Sequence, residues 1–455
     1  MTAAGTSEAG SFGAARSFFM QGLDDMTPPR ASLPRRRLLR GTAALAAGFA
    51  GPWGLHHAWA QARAKKPLLI GLATDDTGQY AASGQDEQRG MRMAIAEANE
   101  RGGVLGRRLE VVHADTAGDP AVAAPVAERL IRQQEVAFLM GGVHSGVASA
   151  MSKVAQAHGC IYFNTNSSSP TEAGKDCHRT KFVWDGNGTN FSTSVVKGAM
   201  TGFGRDWVLI TSDYTWGRNT ARGIRGIVEG NGGRIVEELV VPQNTPDFSA
   251  VLNKVRAIKP GVIATAVGGD DLTLLRRQVR ENSMDRGFGW INNQQDWPDV
   301  YGLGREALFG IFGTTWYWGL GLAGVPEFVA RYQRTQGDYR IKVPGNVFYN
   351  GYMATRELLR AIERTASTNN LKLIKELETL RIPALDRMQH HDAYMNPQTH
   401  QLQQTIYMAA YNDRPRRSDD LFRILGRLQP HEVEDRASTQ QCSLESYAAT
   451  PSYEP

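Results

Sequence analysis

Short apolar runs alternate with longer stretches in which apolar residues recur every three or four positions, from residue 68 to about residue 292. Residues 68–74 are an unbroken apolar run typical of a buried strand, and residues 90–101 have the spacing of a helix with one apolar face. Alternation of this kind builds βαβ units around a parallel sheet. It restarts after Trp184, so the pattern predicts two successive α/β lobes with a cleft between the carboxyl edges of their sheets.

The stretch 141–173 is the strongest candidate for a functional site. The apolar run 136–140 ends in two glycines, a small-residue helix follows, and the next strand continues into the polar segment 164–170. In a parallel sheet both loops reach the same edge, so we expect Ser145 and the serines at 167–169 to face one cleft. Hydroxyls and free N–H groups at helix starts suit a small carboxylate. The same residue types also form helix caps and turns, and that structural alternative stays open.

The composition and charge of the chain indicate a globular protein that does not bind nucleic acid. The 455 residues are 41% hydrophobic and 21% charged, which is ordinary globular material for two or three domains. The formal net charge is +5, but the first 60 residues contain six arginines and only three acidic residues. The rest of the chain is nearly balanced and has no basic tract, which argues against nucleic-acid binding.

Residues 1–60 have the features of a twin-arginine-type export signal. Three arginines at 35–37 precede the short apolar stretch 41–50, and Ala58-Trp59-Ala60 is a small-x-small cleavage site. Ordinary secretory signals also contain arginine pairs, so export is better supported than its route. The apolar stretch is too short to span a bilayer. There is no cysteine near the cleavage site, so the sequence does not predict a lipid anchor. We therefore expect a mature periplasmic chain that begins after Ala60.

The mature chain contains three cysteines, Cys160, Cys177 and Cys442, and an exported protein meets an oxidising compartment. Cys160 and Cys177 bracket the hydroxyl-rich loop, so a disulfide between them is one interpretation and two buried thiols are the other. Cys442 lies in a polar segment and is expected to be unpaired. Residues 428–455, rich in Glu, Ser and Pro, are expected to form a loosely ordered tail.

Several motifs occur in a characteristic order along the mature chain. They are IGLATDDTGQYAASGQDEQRGMRMAIAEANERGGVLGRRLEVVHADTAGDP, GGVHSGVASA, NTNSSSPTEA, SDYTWGRN and TPDFSAVLNKVRAIKPGVI. In their order and spacing the chain resembles the type I periplasmic solute-binding proteins of branched-chain amino acid ABC transporters. The resemblance covers about residues 68–425.

This resemblance implies an α/β fold of two doubly wound parallel-sheet lobes joined by three crossover strands, which close on a ligand about a hinge. The crossovers would lie near 184–188, 314–318 and 388–392. The implied lobes and tail are residues 67–185 plus 316–388 for lobe 1, 186–315 plus 389–427 for lobe 2, and 428–455 for the tail.

The resemblance also assigns roles to residues of the first lobe. It places Ser145 where the family binds the ligand carboxylate. Ser167 and Ser168 fall where backbone and hydroxyl groups contact the carboxylate and the α-amino group, and Ser169 belongs to the same run. Ser83 replaces a bulkier residue of some members and would widen the pocket.

In the second lobe, Trp216 falls where the family has a ligand-facing aromatic residue, and Asp270 or Asp271 falls at another contact. Gln294 falls near the position where amino-acid binders carry a glutamate for the ammonium group. An amide cannot neutralise a buried ammonium as a carboxylate can. Either Asp271 or Asp296 supplies that charge, or the ligand carries no α-amino group.

Five aromatic residues are candidates for the lining of the cleft: Tyr80, Trp216, Trp297, Trp316 and Trp318. Rings that line a cleft favour an apolar or aromatic ligand with one carboxylate. The alternative for each of them is packing in the core or at the hinge.

These observations predict a non-enzymatic, monomeric solute-binding component of an ABC importer that works with an inner-membrane permease and ATPase. The same fold as a sensor for a membrane receptor is the alternative. A hydrolase is disfavoured, because residues 142–146 read GVHSG and not G-x-S-x-G. His390, His391 and His400 lack the spacing of a metal site, so we expect neither a metal nor a cofactor.

Overall fold

The computed structural model describes residues 65–304 and 308–455. The predicted export signal lies outside these ranges. The described residues form one compact unit. Among the described residues, no helix is both long and apolar enough to cross a membrane.

Strands and helices alternate along most of the described chain. The strands are β1 (Leu68–Thr74), β2 (Leu109–Asp115), β3 (Phe138–Met140), β4 (Ile161–Asn164), β5 (Lys181–Val183), β6 (Asp206–Ser212), β7 (Arg234–Val241), β8 (Val262–Ala266), β9 (Gly289–Gln294), β10 (Ile311–Thr314), β11 (Arg381–Ile382), β12 (Ala393–Met395), β13 (Leu402–Gln403), β14 (Ile406–Tyr411) and β15 (Phe422–Leu428). The helices are α1 (Ala81–Glu100), α2 (Pro120–Arg132), α3 (Ser145–His158), α4 (Gly188–Phe203), α5 (Thr215–Gly230), α6 (Ser249–Ile258), α7 (Gly269–Glu281), α8 (Trp297–Tyr301), α9 (Val325–Thr335), α10 (Asn346–Thr365), α11 (Asn370–Glu378), α12 (Ala384–Arg387), α13 (Pro430–Val433) and α14 (Arg436–Gln441).

Lobe 1 is built on a five-stranded sheet in the order β2-β1-β3-β4-β5, in which all neighbouring strands are parallel. The central strands are short and almost fully buried, as their unbroken apolar runs predict. Helices α1 and α10 cover one face of the sheet, and α2 and α3 cover the other. The carboxyl ends of β1, β3 and β4 therefore lie side by side at one edge.

Lobe 2 repeats this design in a seven-stranded sheet of order β15-β14-β10-β9-β8-β6-β7. Strands β6 to β10 are parallel, whereas β14 and β15 add an antiparallel edge. Helices α4 and α5 pack on one face, and α6 and α7 on the other. The prediction of two doubly wound parallel-sheet lobes is confirmed.

Within the described ranges the chain crosses between the lobes three times. It crosses from β5 to α4, returns between β10 and α9, and crosses again between β13 and β14. Buried hydrogen bonds tie these crossings together. The Asp185 carboxylate accepts from the Thr315 hydroxyl (3.1 Å) and the Asn350 amide (2.9 Å), and the Gln404 amide donates to the Trp184 carbonyl (2.6 Å). The hinge is thus a packed polar cluster and not an exposed linker.

The third crossover lies later than the expected position at 388–392. Strands β11, β12 and β13 form a small antiparallel sheet, and Ala393, Met395 and Leu402 pack into the core of lobe 1. The chain therefore enters lobe 2 only after Gln403, and residues 389–403 belong with lobe 1 and not with lobe 2. Burial of three apolar side chains against lobe 1 accounts for the difference.

The expectation of a loosely ordered tail at 428–455 is wrong. Val433 packs against Phe191 and Ile406 in lobe 2. Further along, the Tyr453 hydroxyl donates to the Val136 carbonyl (2.6 Å) and its ring packs on the core of lobe 1. The segment is polar in composition, but its few apolar side chains are spaced so that they anchor it to both lobes.

The cysteine pairing also differs from the sequence-based expectation. Cys177 is bonded to Cys442, and Cys160 is a free, buried thiol. Cys160 directly precedes β4, and its side chain lies in the lobe 1 core, where burial raises the pKa of its thiol. The disulfide instead fastens the C-terminal segment to the loop that follows β4, so Cys442 is paired because that segment is ordered.

Candidate functional site

A cavity lies where the carboxyl edges of the two sheets face each other, and the empty space there, counted together with the open solvent at its mouth, is about 450 Å³. Both lobes contribute to its lining. The lining residues are Tyr80, Val143, Asn166, Ser168, Tyr214, Trp216, Val267, Gly268, Gly269, Leu272, Gln294, Gln295, Asp296 and Asp299. The cleft predicted from the alternation of strands and helices is therefore present, at the edge where ligands bind α/β sheets.

The lobe 1 wall is formed by the loops that follow three adjacent strands. Tyr80 precedes α1, Val143 lies between β3 and α3, and Asn166 and Ser168 follow β4. Gly141 allows the tight turn after β3, because its φ is 110° and a Cβ there would lie 2.4 Å from the Ala73 carbonyl oxygen. Close packing of the loops at this edge thus depends on a glycine.

The lobe 2 wall is formed mainly at the start of helices. Tyr214 and Trp216 begin α5, Gly268 and Gly269 begin α7, and Gln294 ends β9. Helix N-termini present free N–H groups and a partial positive charge, which favour a negatively charged ligand group.

The two walls contact each other directly. The Ser145 hydroxyl oxygen accepts from the Trp216 backbone N–H (3.1 Å), and the Ser168 hydroxyl donates to the Gln294 side-chain oxygen (2.6 Å). At the rim, the Gln79 amide donates to the Asp271 carboxylate (2.7 Å). The structure therefore shows the lobes closed on each other around the cavity.

Aromatic rings close one end of the cavity. His144 stacks on Tyr214 with ring centroids 4.9 Å apart, and Tyr214 lies 5.9 Å from Trp216 and 6.1 Å from Tyr80. The Trp216 indole N–H is buried and has no hydrogen-bond partner. These rings offer apolar surface and one free donor to a ligand.

Two carboxyl groups form the acidic part of the lining. Burial raises the pKa of Asp296, while hydrogen bonds from Asn346 and Gln294 act in the opposite direction. Burial also raises the pKa of Asp299, and the neighbouring Asp296 charge adds to that effect. The described lining residues include no lysine, arginine or histidine. The lining thus offers carboxyl oxygens and no cationic side chain, while the Arg340 charge acts on Asp299 from outside the lining.

Asn166 is the other unusual polar group of the cavity. It is 2% exposed, and its side chain helps to lower the pKa of Asp296 through a hydrogen bond. No other side-chain partner of normal geometry is found for it among the described residues, so its remaining hydrogen-bonding capacity is available to a ligand in the cavity.

Comparison with known proteins identifies the family that has this architecture. A family model described as periplasmic binding protein matches residues 67–416. The chain belongs to this family of periplasmic binding proteins. It is accordingly a binding protein and not an enzyme, as predicted.

Curated relatives of this periplasmic binding protein are distant. It is 25% identical over 252 residues to the Leu/Ile/Val-binding protein BraC3 of Rhizobium johnstonii, covering 54% of this chain and 67% of that protein. It is 24% identical over 341 residues to the Leu/Ile/Val-binding protein homolog 7 of Brucella abortus, covering 71% of this chain and 84% of that protein. The match to homolog 2 of the same organism spans only 28% of that relative.

Solved structures share the fold. A periplasmic binding protein from Burkholderia mallei superposes with a TM-score of 0.75 at 21% identity, covering 83% of this chain and 98% of that one. A solute-binding protein of an ABC transporter from Rhodopseudomonas palustris, in complex with 3,4-dihydroxybenzoic acid, gives a TM-score of 0.72 at 20% identity, covering 80% and 98%. The lobes of this periplasmic binding protein thus have the arrangement of that fold.

The residues predicted from sequence occupy different positions relative to the cavity of this periplasmic binding protein. Those that line it are Tyr80, Ser168, Trp216 and Gln294. Ser145 and Asp271 make the contacts between the lobes beside it. Ser83 is buried in the first turn of α1, and its hydroxyl helps to lower the pKa of Asp296.

Other predicted residues have partners outside the cavity. The Ser167 hydroxyl donates to Glu172 (3.0 Å), and its N–H donates to Asn164 (2.9 Å), so both groups are engaged inside lobe 1. The Ser169 hydroxyl lies 3.0 Å from that of Thr171. Asp270 is exposed at the rim.

The remaining predicted aromatics pack in cores. Trp316 stacks on Tyr349 at 4.7 Å, and Trp297 packs edge-on against Phe422. Trp318 lies partly buried beside the same clusters. Of the five aromatic candidates, only Tyr80 and Trp216 line the cavity.

Sequence reasoning missed several lining residues, among them Asn166, Tyr214, Gln295 and Asp299. Asn166 lies in the polar loop that was singled out, but an asparagine there is equally typical of a turn. Tyr214 follows β6 directly, which was a usable signal. Asp299 lies in the short helix α8, whose start at Trp297-Pro298 gave little helical periodicity. No group of three metal-ligating side chains occurs among the described residues.

Proposed function

We propose that this periplasmic binding protein is the solute-binding component of an ABC importer and that it captures a small apolar amino acid between its lobes. The observation that carries the proposal is the cavity that both lobes line, whose walls are joined by the Ser145–Trp216 and Ser168–Gln294 hydrogen bonds. A ligand enclosed there contacts both lobes at once, as capture by hinge closure requires.

The polar lining supports a ligand with both a carboxylate and an amino group. The starts of α3, α5 and α7 supply N–H groups, and Ser145 and Ser168 supply hydroxyls, for a carboxylate. Asp296 and Asp299 supply the carboxyl oxygens for an ammonium, because a buried ammonium needs a negative partner. The Asp296 carboxyl thereby takes the role that Gln294 cannot fill.

Relatives bind two classes of carboxylate. The named relatives in Rhizobium and Brucella are Leu/Ile/Val-binding proteins, and solved members hold benzoate, p-hydroxybenzoic acid or 3,4-dihydroxybenzoic acid. An aromatic acid without an amino group leaves Asp296 and Asp299 without a cation inside the cavity. The acidic lining therefore favours an amino acid, with its side chain against Tyr80, Tyr214 and Trp216.

Isothermal titration calorimetry with matched ligands tests this proposal. The panel is L-leucine, L-phenylalanine, 3-phenylpropionate, phenylalanine amide and benzoate, so that the amino group and the carboxylate are each removed singly. We expect one of the amino acids to bind at least tenfold more tightly than benzoate, and 3-phenylpropionate to bind more weakly than L-phenylalanine. Tighter binding of benzoate than of either amino acid would refute the amino-acid assignment and leave the aromatic carboxylate.

The location and transport partners belong to the same proposal. Export by the twin-arginine-type signal and cleavage near Ala60 follow from the arginines at 35–37 and the small-x-small site at 58–60. Delivery of the ligand to an inner-membrane permease and ATPase follows from the family. N-terminal sequencing of the protein from a periplasmic fraction is expected to begin at Gln61. Loss of ligand uptake in a strain without the gene, restored by the plasmid-borne gene, would distinguish transport from sensing.

A further inference from the structure

One buried carboxylate lies directly beneath the lobe 1 wall. Glu87, on α1, is fully buried and does not line the cavity. One of its oxygens accepts from the Gly142 backbone N–H (3.1 Å) and from the Thr74 hydroxyl, and the other accepts from the Thr165 hydroxyl (2.6 Å). A single side chain thus receives three hydrogen bonds from three separate segments.

These three partners stand at the carboxyl ends of β1, β3 and β4, which are neighbours in the sheet. Each begins or lies in a loop that supplies the wall: Thr74 precedes the Tyr80 loop, Gly142 precedes Val143, and Thr165 precedes Asn166. Strand pairing alone does not fix loops beyond the strand ends, because the sheet ladder stops there. The Glu87 carboxylate is a common anchor for all three.

We propose that Glu87 is the positioning residue of the binding site, which sets the lobe 1 loops in the arrangement that accepts the ligand. This inference rests on the proposed function. An ionised carboxylate accepts all three bonds, whereas a protonated one keeps the third bond only if it donates to the Thr165 hydroxyl instead. Bonds to an ionised acceptor are stronger than bonds to a neutral carboxyl group. The loops are therefore held most firmly when Glu87 is ionised.

The surroundings of Glu87 make its ionisation responsive to pH. Burial raises its pKa to about 8, the hydroxyls of Thr165 and Thr74 and the Gly142 N–H lower it, and the nearby Asp75 charge raises it. Asp75 is itself held by the His144 N–H (2.8 Å) and the Thr116 hydroxyl. Tyr162, whose hydroxyl donates to the Gly141 carbonyl (2.7 Å), is the other titratable group facing this cluster.

Binding and stability are expected to change in opposite directions with pH at this group. Its folded pKa lies above the ordinary value of 4.5, so between about pH 4.5 and 8 the native state holds more protons and the unfolding free energy falls as pH rises. Ionisation over the upper part of that range completes the loop contacts and tightens binding. A purely structural carboxyl predicts no such gain in affinity.

The test compares wild type with Glu87→Gln and with the control Glu357→Gln. Glu357 is also a buried lobe 1 carboxylate, but it pairs with Arg356 and Arg360 away from the cleft. L-leucine binding is measured by calorimetry at pH 6 and pH 8.5, and amide hydrogen exchange is measured on the ligand-free protein. At pH 8.5 we expect Glu87→Gln to bind at least tenfold more weakly, a gap that closes to less than threefold at pH 6.

Amide exchange is expected to rise in residues 141–145 and 165–168 of the Glu87 variant and to stay unchanged in lobe 2. Equal affinity and equal loop exchange in wild type and Glu87→Gln would overturn the inference, as would faster exchange throughout lobe 1. If Glu87→Gln does not fold, Thr165→Val removes one of the three bonds and is expected to speed exchange at 165–168 alone. Wild type that binds no member of the ligand panel refutes the proposed function, while the exchange result still decides the role of Glu87.

Discussion

The two walls of the cleft are built from the same kind of βα loop, yet they differ in where their polar groups point. In lobe 1 most of them are bound within the lobe: Ser167 to Glu172, Thr165 to Glu87, and the His144 N–H to Asp75. In lobe 2 the carboxyl groups of Asp296 and Asp299 and the indole N–H of Trp216 face the cavity. Lobe 1 thus offers a fixed shape, and lobe 2 offers the charge and the aromatic surface that choose a ligand.

This difference shows that βα loops of the same kind can have different roles in the two walls. A wall whose donors and acceptors are internally satisfied loses little when one hydroxyl is removed, because the rest of its network stays in place. A group that is to bind the ligand directly loses that whole interaction when it is removed, even where, as at Asp296, protein donors also reach it. Substitutions on the two walls are therefore expected to differ in size, and the following experiments rank them.

The largest effect on binding is expected for Asp296→Asn. The change removes the negative partner of a buried ammonium, and loss of one partner of a buried charge pair costs about 2–5 kcal/mol. We expect the calorimetric Kd for the preferred amino acid to rise at least about 30-fold. Asp206→Asn, an exposed carboxylate of the same lobe that pairs with Arg234, is the control and should keep wild-type affinity. Unchanged binding by Asp296→Asn would mean that lobe 2 does not supply the charge.

Trp216→Ala is expected to be the next largest. It removes a largely buried ring that lines the cavity, and truncation of such an aromatic anchor costs about 2–3 kcal/mol. Trp216→Phe retains much of the apolar surface but lacks the free indole N–H, so it should lie between the alanine variant and wild type. If phenylalanine and alanine are equally harmful, the N–H and not the ring surface is the important group.

Ser145→Ala tests the lobe 1 hydroxyl that meets lobe 2. We expect binding to weaken by about 1–3 kcal/mol, the cost of leaving a buried charged group short of a donor. The same change removes the acceptor of the Trp216 N–H, so the closed arrangement also loses a contact. Wild-type affinity in this variant would remove Ser145 from the binding site.

The smallest effect is expected for Ser167→Ala. Its hydroxyl and N–H already have partners within lobe 1, so the calorimetric affinity should change by less than about 0.5 kcal/mol. Ser168→Ala is the matched comparison, because its neighbouring hydroxyl lines the cavity and reaches Gln294, and it should weaken binding more. Equal losses in the two variants would show that the lobe 1 wall is not internally satisfied as described.

Much of the fold followed from local pattern. The unbroken apolar run at 68–74 predicted β1, because burial on both faces of a parallel sheet leaves a signal in a few consecutive residues, and the helical spacing at 90–101 predicted the second half of α1. The third crossover was misplaced because β11 to β13 are only two or three residues long, too short for a period to be visible. The order of the C-terminal segment was missed because its anchors, Val433 and Tyr453, are isolated apolar residues in a polar context.

The residues of the candidate site were likewise predicted only in part from the sequence. Ser168, Trp216, Gln294 and Tyr80 were predicted and line the cavity, because each lies at the end of a strand or in the loop that follows one, and the topology delivers such positions to one edge. Trp316 and Trp297 were predicted as candidates for the same reason, yet they pack in cores. A strand-end position fixes which edge a residue reaches, and it does not fix the direction of its side chain.

The amino-acid sequence by itself determined the two α/β lobes and the sheet edge at which their polar loops lie, because patterns of only a few consecutive residues predict both features. Only the tertiary structure decided which hydroxyls are engaged, which carboxyls remain for a ligand, and which cysteines are joined. Ser145 meets Trp216 across 71 positions, Ser168 meets Gln294 across 126, and Cys177 meets Cys442 across 265. Hydrogen-bond and disulfide partners so distant in the chain are chosen by packing of the lobes, which no local pattern records.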